Sequence, residues 1–170
     1  MQTRYVIRGL VLSFLGLLIL GCGYHFNGVS DSLSGIRKIY VGNFPNKTDE
    51  AYLENIFRNA LIDQFIRGNQ FQVVGDEAEA DAVVRGTVKR ISTSHVSYED
   101  ADLGAEERVS LTVEIVFENR ETGRTLWEDR NFSDTEDYLV IKSLESKRKA
   151  LIKLSGDMAE RAYRLMIAGF

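Results

Sequence analysis

From Arg108 to Asn119 the chain alternates without a fault: Val109, Leu111, Val113, Ile115 and Phe117 on one side, Ser110, Thr112 and Glu114 on the other. Successive side chains of a strand point to opposite faces, so this pattern demands a sheet with one apolar and one polar face. Glu121-Thr-Gly123 follows as a tight turn, with Gly123 expected at positive φ, and Thr125–Phe132, carrying Trp127, is the partner strand. Such a hairpin needs cover on one side only, and the rest of the chain must supply it.

Two stretches have the right spacing for that cover. Thr48 is a good N-cap, with Asp49 and Glu50 placed in a first turn whose dipole favours anions. Leu53, Ile56, Phe57, Ala60, Leu61 and Phe65 then recur at helical spacing, until Gly68 and Asn69 stop the helix. The second helix runs from about Ile141 to Ala168, with Leu144, Leu151, Leu154, Met158, Ala162 and Leu165 on its apolar face. Lys142, Lys147, Arg148, Lys149 and Lys153 decorate the remainder as a solvated charge run.

Three further strands are expected. Ile36–Phe44 is the first, ended by Pro45-Asn46-Lys47 because proline cannot continue a ladder. Phe71–Val74 is short. Ala82–Tyr98 is long, with Val84, Gly86 and Val88 in phase and Ile91 out of it, which predicts a bulge near Lys89 and Arg90. Asp76–Asp81 reads as a solvated acidic turn and Glu99–Glu107 as an acidic loop. The order β-α-β-β-β-β-α, its short strand the least defined, gives an α+β fold. It is a two-layer sandwich, a mixed sheet of about four strands with two helices packed on one face. Residues 36–170 form one domain; with only Pro45 in the chain, no proline-rich linker divides it.

The N-terminus reads differently. Arg4 and Arg8 precede the uncharged run from Gly9 to Leu20, about 18 Å long as a helix and too short to cross a bilayer core. This is a signal peptide, residues 1–21. Ile19-Leu20-Gly21-Cys22 has the form of a lipobox, and Cys22 is the only cysteine in the chain. A thiol is required there to accept diacylglycerol as a thioether; cleavage then frees the Cys22 amine for acylation. No other cofactor is expected. Several acyl chains, each CH₂ worth about 0.8 kcal/mol, make a stable membrane anchor. Residues 22–35 form the lipidated N-terminus and a tether that reaches at most roughly 45 Å.

Composition narrows the function. The formal charge of −4 becomes −6 once Arg4 and Arg8 leave with the signal, which argues against nucleic acid as a partner. A single cysteine excludes an internal disulfide and a cysteine metal site. No P-loop, dinucleotide fingerprint, G-x-S-x-G elbow or H-E-x-x-H occurs. His25 and His95 lack ligand or triad spacing, and the Glu99–Glu107 loop lacks the spacing of a calcium loop. No enzyme is expected. Arg85 and Lys89 lie on the strand face opposite Val84 and Val88, where no helix sits; with Arg90, and with Arg37 and Lys38 nearby, they are candidate contacts for phosphates of a lipid headgroup. Trp127 and Tyr98 serve either a binding surface or the core.

Cys22-Gly23-Tyr24-His25-Phe26 directly after the lipobox resembles the opening of LptE-like lipoproteins of lipopolysaccharide assembly. The likeness continues through Ile39–Phe44, Asn46-Lys-Thr48, Ala80–Gly86, Gly123–Trp127 and the final helix. It implies a small sheet with two helices on one side and no enzymatic site. It further implies residence in the outer membrane on the periplasmic side, as a plug in a large β-barrel of the LptD kind that it helps to assemble. Lipopolysaccharide passes by that route to the outer leaflet and is met by positively charged residues; the strand pattern, not a motif match, points to Arg85, Lys89 and Arg90. Gly23, in place of Asp, favours outer-membrane sorting by resemblance to enteric lipoproteins. Val41–Thr48 also resembles lipoproteins that scaffold or activate cell-envelope enzymes, but those carry a long disordered tether.

Overall fold

The computed structural model describes residues 33–97, 106–140 and 143–168. Within them the chain runs β1 (Lys38–Val41), α1 (Leu53–Gly68), β2 (Gln72–Val73), a 3₁₀ turn (Glu77–Glu79), β3 (Ala82–Ser97), β4 (Glu106–Asn119), β5 (Thr125–Leu139) and α2 (Ser143–Ala168). The five strands form one mixed sheet in the order β2-β1-β3-β4-β5. β1 is parallel to β2 and to β3, and the other pairs are antiparallel. The expected α+β two-layer sandwich is present, with the short strand paired as a fifth member.

Both helices pack on the face that carries Val109, Leu111, Val113, Ile115 and Phe117, all fully buried. α1 contributes Leu53, Phe57, Leu61 and Phe65, one residue per turn. α2 contributes Leu151, Leu154, Met158, Ala162 and Met166. Leu144, expected in that stripe, is 85% exposed instead: it lies in the first turn of α2 and lines a surface hollow beside Tyr52 and Ile56 at the start of α1.

The ends of the elements differ from expectation for local reasons. Thr48 is not an N-cap: its hydroxyl and amide both donate to Asn46 Oδ1, at 2.7 and 3.0 Å, and tie off a bend. The helix starts later, through Tyr52 at φ 65°, a left-handed backbone that costs a bulky residue energy. At the other end Asn69 takes φ 52° and closes α1 as the sequence suggested. Pro45 does not end the alignment either. It lacks a donor but keeps its carbonyl, which accepts the Val88 amide at 3.0 Å, and the Lys47 amide donates back to Val88 at 2.9 Å. Asp81 is not simply solvated: Oδ2 accepts the amides of Arg37 (2.8 Å) and Lys38 (2.9 Å), chiefly the first, and these hold its carboxyl below the usual range. The β3 bulge falls between Val88 and Arg90, and Gly123 has φ 67°, both as expected.

Candidate functional site: the outer sheet face and its cationic corner

Among the described residues no helix covers the second face of the sheet. Its rows, read across β3, β4 and β5, are Ser92–Ser110–Thr135, Arg90–Thr112–Ser133 and Ser94–Arg108–Asp137. The last row is closed by a two-pronged ion pair, Arg108 to Asp137 at 2.6 and 2.7 Å. That guanidinium holds the Asp137 carboxyl down. These three rows are rich in hydroxyls, and the Arg108–Asp137 charges in them offset each other.

The three expected headgroup contacts have separate fates. Arg85 points outward as expected, but its guanidinium is taken by Glu77 and Glu118. Lys89, the extra residue of the bulge, donates to the Arg130 carbonyl at 2.9 Å and to Asn131 Oδ1 at 3.3 Å. Arg90 alone is uncommitted, and it lines a cleft of about 330 Å³ with Lys47, Lys147, Asp49 and Glu50. Lys147 is paired with Glu50, while Lys47 has no partner among the described residues. Sequence reasoning missed Lys47 and Lys147 as neighbours of Arg90. Nothing local marks them: Lys47 stood at a strand end and Lys147 in a helical charge run. Arg37 and Lys38 use their backbone amides on Asp81, as above.

Beside this cleft, Tyr52, Ile56, Leu144, Leu151 and Arg148 line a second hollow of about 230 Å³ between the starts of the two helices. On the helix side of the sheet's far end, the Tyr138 hydroxyl donates to Glu107, and His95 Nδ1 lies 3.4 Å from the same carboxylate. Burial first, then Glu107, pushes Tyr138 up to about 12. Trp127 is half-buried and meets Phe132 edge-on at 6.0 Å, so it serves the core. Among the described residues no group of three His, Cys, Asp or Glu is placed to hold a metal, and no helix is long and apolar enough to cross a membrane. Cys22, His25, Tyr98 and most of the Glu99–Glu107 loop lie outside the described residues.

Fold and site together define an open-faced α+β domain, helices on one side and a polar sheet surface on the other. The model of the LptE family, described as lipopolysaccharide-assembly, matches residues 36–166, and the chain belongs to that family. Among solved structures, protein XCC0632 from Xanthomonas campestris shares the fold with a TM-score of 0.59 at 8% identity, covering 79% of this chain and 85% of its own. The PelC dodecamer variant from Paraburkholderia phytofirmans gives 0.50 at 14% identity, covering 77% and 89%. The rare lipoprotein B from Shewanella oneidensis gives 0.48 at 16% identity, covering 78% and 95%. No curated protein matches the chain in sequence.

Proposed function

We propose that this lipopolysaccharide-assembly protein is anchored in the outer membrane by a lipid on Cys22. There it plugs a large β-barrel of the LptD kind, helps it assemble and helps lipopolysaccharide reach the outer leaflet. Family membership over residues 36–166 supports the pathway. The observation that carries the plug reading is the sheet face that no described helix covers, whose hydroxyl rows and internally paired charges suit the polar, wet lumen of a barrel. The ten residues between Cys22 and Leu33 span at most roughly 35 Å, which favours a partner in the same membrane.

The test is a crosslinked detergent extract of the tagged full-length protein. A stoichiometric outer-membrane barrel is expected; its absence would sink the plug reading and favour a scaffold that meets periplasmic enzymes. Replacing Cys22→Ser should abolish labelling by a fatty-acid probe, and persistent labelling refutes the anchor.

A further inference from the structure

α2 breaks two local rules at its midpoint. Gly156 stands in the helix interior, where glycine is the least favoured residue after proline. Nothing among the described residues requires it: a Cβ built there meets no atom within 4 Å. Its neighbour Ser155 is fully buried, and among the described residues its Oγ is the one buried side-chain polar atom without a hydrogen-bond partner. An unpaired buried hydroxyl destabilises the state that holds it. Local rules are broken in this way where a segment has a task besides stability.

The two halves of α2 are held unequally. After the pair, Met158, Ala159, Ala162, Tyr163 and Met166 are buried, and Arg161 pairs with Asp134 while lying over the Phe132 ring. Before it, from 144 to 154, only Ala150, Leu151 and Leu154 are buried, while Leu144 and Ile152 are exposed. Leu144 and Leu151 line the hollow between the two helix starts, opposite Tyr52 and Ile56. Tyr52 is itself exposed, although it enters α1 through a left-handed backbone. The Lys147–Glu50 ion pair crosses the same gap on a flexible lysine stem.

We propose that α2 is hinged at Ser155–Gly156 and that its N-terminal half swings as a strap, seating Leu144 in the hollow against Tyr52 and Ile56. Helices kink at Gly/Ser pairs, and a serine hydroxyl that bonds the carbonyl one turn back bends the helix further. Bending at Gly156 loosens the helical bonds beside it, and the Ser155 hydroxyl then donates to the Leu151 carbonyl. The bend thus gives the orphan hydroxyl a partner and covers Leu144 and Tyr52, at the expense of the loosened backbone bonds. Leu144 lies eleven residues from Ser155, roughly 17 Å along the helix. A kink of about 20° therefore carries it roughly 6 Å, the scale of a hollow of about 230 Å³. This inference does not rest on the barrel reading.

Hydrogen exchange of the full mature chain in detergent, read amide by amide, tests the hinge. A hinge opens the amides that bridge it, so Ser155–Met158 should exchange faster than the amides on both sides, a dip in protection inside the helix. Fraying from the end would give a steady gradient instead, and a rigid helix neither. Gly156→Ala should slow exchange in the dip about fivefold, the difference in helix propensity between the two residues. Ser155→Ala should slow it too, because the hydroxyl that stabilises the bend is gone. Leu144→Ser should slow it about tenfold from eleven residues away, by removing the apolar group that the hollow receives. A gradient without a dip overturns the proposal, as does a dip unchanged in Gly156→Ala and Ser155→Ala. A dip that ignores Leu144→Ser overturns the strap, since a merely local irregularity would not sense that residue. A lower urea midpoint for Gly156→Ala than for wild type overturns the hinge, because the glycine then serves close packing.

Discussion

Gly86 is the position where the sheet tolerates least. It sits in β3 between the buried Val84 and Val88, opposite Ile115. A Cβ built there would lie 2.1 Å from the Glu114 carbonyl oxygen and 2.4 Å from the Phe44 ring. Neither obstacle is the loose end of a side chain. The carbonyl belongs to the neighbouring strand, and Phe44 is 1% exposed with its ring 5.3 Å from that of Phe57. Gly86→Ala therefore has to move a ladder and an aromatic pair together. Overpacking of this kind costs about 3 kcal/mol, and the lower chain entropy of alanine returns somewhat under 1 kcal/mol. The net loss of about 2 kcal/mol should lower Tm by roughly 8 °C in a domain of this size. Urea and thermal unfolding of the soluble form lacking residues 1–22 measure both. The variant Phe44→Leu removes the ring but not the carbonyl, so Gly86→Ala should cost less in that background without becoming neutral. A Gly86→Ala protein within about 0.5 kcal/mol of wild type, or a strictly additive cycle, would refute this account of the packing.

Asp81→Asn should cost about 1 kcal/mol at neutral pH, a modest figure because the site is part-exposed. The Asp81 carboxyl is depressed, so its contribution is present above its unfolded pKa near 4 and fades as pH falls through the lower folded value; the two proteins' urea midpoints should converge in acid. Tyr138 has the opposite sign: raised to about 12, it stabilises fully below pH ~10 and loses that contribution on the way to 12. A tyrosinate titration of wild type minus Tyr138→Phe should show a midpoint near 12, and one near the ordinary value would refute its burial. Phe132→Ala should cost about 3 kcal/mol by chemical unfolding, since the ring packs Trp127 on its edge and carries Arg161 4.4 Å above its face. Arg85→Ala should change stability by less than about 1 kcal/mol, because both its ion pairs are exposed; a larger loss would mean that they close the outer face.

What was legible in the sequence was whatever a short period writes down. The alternation of β4, the stripe of α1, the bulge at Lys89 and the turn at Gly123 each follow from a few adjacent residues, and each is present. What was illegible depended on side-chain partners that no short period marks, whether near or distant in the chain. Asn46 redirects Thr48 away from capping and offers its amide to the Glu50 carbonyl at 2.8 Å, so the helix start moves to Tyr52. Arg58 donates to the carbonyls of Val41 and Gly42, both at 3.1 Å, satisfying the strand where its ladder thins. Leu144 obeys helical spacing, yet it is exposed over a hollow between the two helix starts. Periodicity reports which side of an element is apolar; it does not report how closely another element packs against each turn.

The cationic residues make the same point about the site. Arg85, Lys89 and Arg90 look alike in the sequence, three basic residues on one strand. The fold separates them by the company each keeps: two carboxylates for the first, a β5 carbonyl two strands over and Glu114 for the second, no partner among the described residues for the third. The bulge is the cause. By inserting one residue it sets Arg90 on the cleft that Lys47 lines from the other side, just past the Asn46–Val88 bridge.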